Sequence, residues 1–244
     1  MHFKRINLWS SPRNVSTALM YSFAQRSDTT VVDEPLYAHY LASGTAKISH
    51  PGEAEVLQAQ STDAGQVIRE VLMGPYERPV VVFKQMTHHL TDGLDLAFLK
   101  DMDNVLLIRD PRAILTSYSK VIPNPGMRDV GIRMQMELLE ILQEYGALKA
   151  VVDARDLLLD PPKVLAALCE RLEIPFEEKM LSWEAGPRPE DGVWAKYWYS
   201  AVHRSTGFQP YAPEEGVLPA HLEALAEECR PFYEKLYYHA IKIK

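Results

Sequence analysis

Two four-residue runs, Val80-Val81-Val82-Phe83 and Val105-Leu106-Leu107-Ile108, are apolar at every position. A strand with one wet face alternates apolar and polar residues; a strand that does not alternate is covered on both faces. Similar short runs recur along the chain, with longer stretches of helical periodicity between them. Parallel strands need crossover connections long enough to hold a helix, so this pattern predicts a parallel sheet with helices on both sides. The expected strands are Arg5–Trp9, Thr30–Asp33, Val80–Lys84, Val105–Ile108 and Lys149–Asp153. The expected helices are Ser16–Arg26, Glu53–Met73, Leu90–Lys100, Arg112–Lys120, Arg128–Tyr145, Pro162–Leu172 and Pro219–Ala240. Ligands of such sheets bind outside the carboxyl ends of the strands.

Two of those ends carry the same chemistry. Ile6-Asn7-Leu8-Trp9 runs into Ser10-Ser11-Pro12-Arg13-Asn14-Val15-Ser16-Thr17. Val105–Ile108 runs into Arg109-Asp110-Pro111-Arg112, with Ser117 two turns further on. Each places an arginine and hydroxyls where a strand ends and a helix begins. Free backbone N–H groups and the positive end of the helix dipole make that junction an anion site. A pair of them suggests a ligand with phosphates at both ends. The first loop has the position of a P-loop without its sequence, because residues 10–17 hold neither glycine nor lysine. Arg13 can supply a fixed bidentate cation instead. Ser16 and Thr17 can cap the helix and donate hydroxyls to a phosphate oxygen. Each junction also has a plainer reading: a simple helix cap beside a solvated Arg13, and an Arg109 tie to Asp110 or another acid. The fold class is α/β: a P-loop-like three-layer sandwich with a central parallel sheet of about five strands and helices on both faces.

The chain of 244 residues is expected to form one domain, 1–244, with an aromatic-rich lid near 183–213. That segment holds Trp183, Trp194 and Trp198, three of the four tryptophans. It reads equally as a packed surface layer or as a cover that stacks on a planar ligand. The net charge of -7 argues against a nucleic-acid or anionic-membrane binder, which needs clustered positive charge. The two cysteines, Cys169 and Cys229, fall in amphipathic helical stretches and read as buried free thiols. No apolar run reaches transmembrane length, and the first strand begins within a few residues of Met1. A cytoplasmic location is the expectation. No metal-ligand pattern stands out, so none is expected to be bound.

Taken together, these residues resemble the sulfotransferase family, whose members use 3'-phosphoadenosine 5'-phosphosulfate (PAPS). The family's first signature is a strand followed by a serine, proline, basic and hydroxyl loop that binds the 5'-phosphosulfate. It maps here to Ser11, Pro12, Arg13, Asn14, Ser16 and Thr17. The second is Arg-x-Pro with a serine eight positions after the arginine, which binds the 3'-phosphate; it maps to Arg109, Pro111 and Ser117. A looser third element, a basic residue and a glycine closing over the 3'-phosphate, is similar to Arg204 and Gly207 in His203–Phe208. Ala154–Leu157 with Asp160–Leu165 resembles the family's strand-to-helix stretch. One departure stands out. Val15 occupies a position where glycine is usual, and a β-branched residue resists φ > 0, so the loop is expected to cradle phosphate differently.

The resemblance implies PAPS as co-substrate, a small-molecule hydroxyl or amine acceptor, and in-line transfer of the sulfuryl group. Positioning and electrostatics would carry most of the rate. Glu34, after the second strand and before Pro35, is the first choice for general base, with Pro35 expected to hold it extended. Asp33 is its rival, and His88 and His89 after the third strand are further candidates. Lys84 at that strand's end could contact the bridging oxygen. Two other functions stay open at this point: a nucleotide-dependent phosphotransferase, and a non-catalytic nucleotide-binding protein of the same fold. Acceptor identity and oligomeric state are not readable.

Overall fold

A computed structural model describes residues 3–46, 49–213 and 218–243. Five strands form one parallel sheet: β1 (Lys4–Ser10), β2 (Thr29–Asp33), β3 (Val80–Met86), β4 (Asp103–Ile108) and β5 (Leu148–Asp153). Their order is β2-β3-β1-β4-β5. Every ladder is parallel, and β1 lies in the middle with Leu8 beside both Lys84 and Val105. The chain fills one side of β1 with β2 and β3 and then crosses to the other side with β4 and β5. The carboxyl ends of β1 and β4 thus flank the point where the winding reverses, which opens a crevice.

The helices in chain order are α1 (Ser16–Ala24), α2 (Tyr37–Ala42), α3 (Glu53–Ala59), α4 (Ala64–Val67), α5 (Pro111–Tyr118) and α6 (Met127–Val130). They continue with α7 (Ile132–Glu144), α8 (Ala154–Leu159), α9 (Pro161–Arg171), α10 (Ala195–Trp198) and α11 (Ala220–Tyr238). Alternate strand residues face opposite layers. Ile6, Leu8, Val82 and Leu107 pack with Leu19 and Phe23 of α1 and Leu165 and Leu168 of α9. Trp9, Phe83, Leu106 and Ile108 pack with Leu115 of α5, Leu139 of α7 and Leu236 of α11. A third cluster, from α2, α3 and α10, unites Tyr37, Tyr40, Val56 and Trp194. This is the expected three-layer sandwich. The apolar runs of β3 and β4 are fully buried, as their lack of alternation requires.

Three expected helices differ. Leu90–Lys100 is irregular up to a single 3-10 turn, Ala97–Asp101. Gly93 takes φ 83°, and Asp95 accepts a bond from Ala97 N at 2.9 Å, so local turns win over helix. The Glu53–Met73 stretch is broken at Gln60, which is extended. Its side chain is engaged instead, donating to Glu34 O at 3.1 Å and accepting from Ala38 N at 3.1 Å. Arg128–Tyr145 is divided at Gly131, whose φ of 75° ends α6 and starts α7. The short helices α2, α8 and α10 are additions. Both cysteines are free and buried. Among the described residues, no helix is long and apolar enough to cross a membrane.

Candidate active site

The loops leaving β1 and β4 meet over the crevice. The β1 loop is tied down by polar bonds. Thr87 Oγ1 donates to Ser10 O at 3.0 Å, and Asn14 Nδ2 donates to Leu107 O of β4 at 3.0 Å. At its tip Arg13 adopts φ 57°. A side-chain-bearing residue seldom takes that conformation, and here the surrounding ties hold it. Arg13 Nε donates to Ser117 Oγ at 3.1 Å, and a guanidinium N–H of Arg109 donates to the Arg13 carbonyl. The two arginine junctions are one cluster. Asp110 is turned away to cap α5, accepting from Arg112 N at 2.8 Å and Ala113 N at 3.3 Å.

The loop corrects two expectations. Val15 has φ -87°, a backbone any residue adopts, so no glycine is needed there; the left-handed position is Arg13. Val15 is also the N-cap of α1, and no side chain caps that helix. Ser16 and Thr17 begin the first turn instead of capping it. The uncapped end keeps its unpaired amides and dipole for an anion.

A cavity of ≈ 410 Å³ opens over the strand ends. Arg13, Asn14, Val15, Ser16 and Thr17 line it from the first loop, Arg109 and Ser117 from the second, and Gly207 from the far side. Glu34, Lys84 and His88 line its floor at the ends of β2 and β3. Two expected residues lie off the wall. Ser11 is fully buried behind the loop, its Oγ 3.5 Å from Asn14 Nδ2. Arg204 ends the one-turn helix Val202–Arg204 and is exposed, while its neighbour Ser205 lines the cavity.

Glu34 is not extended. It takes φ 39°, donates its N–H to Lys84 O at 2.8 Å, and sends its buried carboxylate to the Lys84 ammonium. Lys84 is wholly buried. It also donates to Asp33 Oδ1 at 2.9 Å and to Tyr199 OH at 2.7 Å. Three partners use all three of its hydrogens. As folded, Lys84 therefore holds protein groups and has no hydrogen left for a bridging oxygen. Tyr199 OH donates to Asp33 Oδ2 at 2.7 Å and accepts from Trp194 Nε1 at 3.1 Å. Burial alone would lower the Lys84 pKa, but Asp33 and Glu34 outweigh it and hold the pKa above the usual lysine value. Burial pushes the Glu34 carboxyl up to about 7, opposed by Lys84 and reinforced by Asp33.

Next to Glu34 stand three buried histidines, His50, His88 and His89. His89 Nε2 is 3.9 Å from Glu34 Oε2, and its ring stacks on Tyr37 at 4.6 Å and on Tyr40 at 5.0 Å. Burial drives the His88 pKa down to about 3 and that of His89 well below the usual imidazole value. Burial also lowers His50. Sequence reasoning missed Tyr37 and His50, because their role comes from α2 and the 50s loop folding over the β2 end. Tyr199 and Trp194 were visible only as members of an aromatic segment. That segment is anchored to α1, where Tyr21 OH donates to Asp191 at 2.6 Å, and is braced within itself by His203 Nε2 at 2.9 Å from Asp191.

Residues 4–240 match the model of the family described as Sulfotransferase domain. Among curated proteins, the chain is 38% identical over 234 residues to branched-chain-amino-acid aminotransferase-like protein 2 of Arabidopsis thaliana. That match covers 96% of this chain and 41% of the relative, so the chain spans about two fifths of the relative's length. Among solved structures, the fold is similar to the sulfotransferase domain of the Synechococcus PCC 7002 olefin synthase, with TM-score 0.55 and 18% identity. Coverage there is 93% of this chain and 95% of that one. It is also similar to mouse sulfotransferase SULT7A1 complexed with PAP, with TM-score 0.51 and 10% identity over 99% of this chain and 86% of that one.

Proposed function

The chain belongs to the sulfotransferase domain family, and from that premise we propose that it moves a sulfuryl group from PAPS to a hydroxyl or amine of a small-molecule acceptor. The observation that carries this reading is the meeting of Arg13, Arg109 and Ser117 on a cavity whose floor holds the buried Glu34. Two guanidinium groups, hydroxyls and an uncapped helix start fit a bisphosphorylated nucleotide. The mouse structure with PAP supports the same ligand class. In the reaction, the acceptor oxygen or nitrogen attacks sulfur as its proton passes to the Glu34 carboxylate. The new bond to sulfur forms while the bond from sulfur to the phosphate oxygen breaks. The charge growing on the leaving phosphate is met by Arg13 and the start of α1.

Glu34 suits the base role better than His88. A base works best when its pKa is near the working pH, and about 7 meets that where about 3 does not. Lys84, with Asp33 and Tyr199, sets the carboxylate's position. The Val15 departure does not weigh against phosphate binding, because position 15 needs no left-handed backbone. Most of the aminotransferase-like relative lies outside the shared region, and the shared region matches the sulfotransferase domain. The test is to incubate the protein with PAPS and a panel of phenols, alcohols and amines, and to follow PAP release. Calorimetry with PAP accompanies it. Acceptor-dependent release is expected; failure to bind PAP would sink the reading.

A further inference from the structure

We infer that His50, His88 and His89 form a hydrogen-bonding wall for the acceptor, selecting an uncharged molecule that carries a second hydroxyl besides the one transferred to. The inference rests on the sulfotransferase reading and deepens it.

The three imidazoles are at most 6% exposed and all line the cavity beside Glu34. Their hydrogen-bonding capacity is largely unspent. His88 Nδ1, His89 Nδ1 and His50 Nε2 are buried without a partner. Of the three, among the described residues, His50 alone has a bonded nitrogen, Nδ1, at 2.8 Å from Tyr37 OH. Neither nitrogen of His88 has a hydrogen-bond partner among the described residues. Unpaired polar atoms in a dry place cost stability, and native structures rarely keep several together. Those three atoms are closed off as folded, whereas Nε2 of His88 and Nε2 of His89, without a hydrogen-bond partner among the described residues, are not, and a ligand in the cavity would pair with these two. The rings are also fixed in place: His88 meets Tyr40 at 5.0 Å and His89 at 4.6 Å, both edge to face.

The chemistry of the wall selects the ligand. Burial keeps all three rings neutral near pH 7. A neutral imidazole has one donor and one acceptor nitrogen. A hydroxyl, which both donates and accepts, matches such a pair. A carboxylate only accepts and an ammonium only donates, so neither completes such a pair. Trp194, Tyr37 and Met86 supply an apolar surface on the same wall for the acceptor's body.

The experiment compares matched acceptors: a diol or dihydric phenol, the same skeleton with one hydroxyl, and analogues with a carboxylate or ammonium in place of the second hydroxyl. PAP release gives kcat/KM for each, with the native protein and with the His88→Phe and His88→Asn variants. The native protein is expected to favour the dihydroxy acceptor by roughly 10–100-fold. His88→Phe should erase most of that ratio, and His88→Asn, which keeps a donor and an acceptor, should restore part of it. Binding of PAP should not change in either variant, which also certifies folding. Equal rates for one and two hydroxyls, preference for a charged analogue, or an unchanged ratio in His88→Phe would overturn the inference and leave the sulfotransferase reading intact. Absence of PAP binding and of turnover with every acceptor would overturn both.

Discussion

At the scale of single residues, Glu34 combines three unusual properties: a left-handed backbone, near-complete burial and a carboxyl pKa pushed up to about 7. Strain and burial of this kind persist only where the surroundings impose them, and they concentrate at working sites. Glu34→Gln keeps the shape and removes the base. It should retain PAP affinity in calorimetry while kcat falls by about 10²-fold or more. In the native protein kcat/KM should rise as Glu34 loses its proton through about pH 7 and level off above; a flat profile would exclude Glu34 as the base. Arg109 is tested separately. Its guanidinium holds the Arg13 carbonyl and lines the cavity, so Arg109→Ala should weaken PAP binding by about 10–100-fold, the worth of a charge-assisted bond. Unchanged PAP affinity would remove Arg109 from the site.

At the scale of elements, the segment from Trp183 onward reaches across the sheet ends and ties itself to the ion cluster through Tyr199. Removing that hydroxyl in Tyr199→Phe leaves Lys84 with two partners and Asp33 with one fewer donor. The expected cost is about 1–3 kcal/mol in urea unfolding, with a lower kcat, because Lys84, one tie short, would hold Glu34 less firmly. Stability and kcat both at native level would show the tie to be incidental. The elements also show what the chain discloses by itself. The five strands were legible because β3 and β4 are apolar without alternation and turn residues bound them. Arg13, Arg109 and Ser117 were legible because each sits at a strand-to-helix junction. The breaks at Gln60 and Gly131 were not, since Gln60 is extended by bonds to Glu34 and Ala38, partners more than twenty residues away. The same holds for the Lys84 cluster. Lys84 and Tyr199 are adjacent only after α10 has packed over β2 and β3, so neither residue's surroundings could be read from its neighbours in sequence.

At the scale of the whole molecule, the site makes stability depend on pH. The three buried histidines have depressed pKa values in the fold, so their contribution is present above about 6.5 and lost as pH falls below it. Glu34 works the other way: its raised pKa gives stability that is full below the ordinary carboxyl value and lost as pH rises through about 7. Three groups outweigh one. Urea-unfolding free energy should fall from pH 6.5 to 5.5 by about 1–3 kcal/mol, and a value that holds or rises would contradict the buried, neutral state of the histidines. The strand order carries a different consequence, for synthesis. Lys4 finds its neighbours only at Val80, β2 pairs only with β3, and β4 and β5 come later still. No rung of this sheet can close until the ribosome has passed residue 80. Until then β1, the future centre of the molecule, is a strand with no mate, its Ile6, Leu8 and Trp9 still uncovered and open to pairing with strangers.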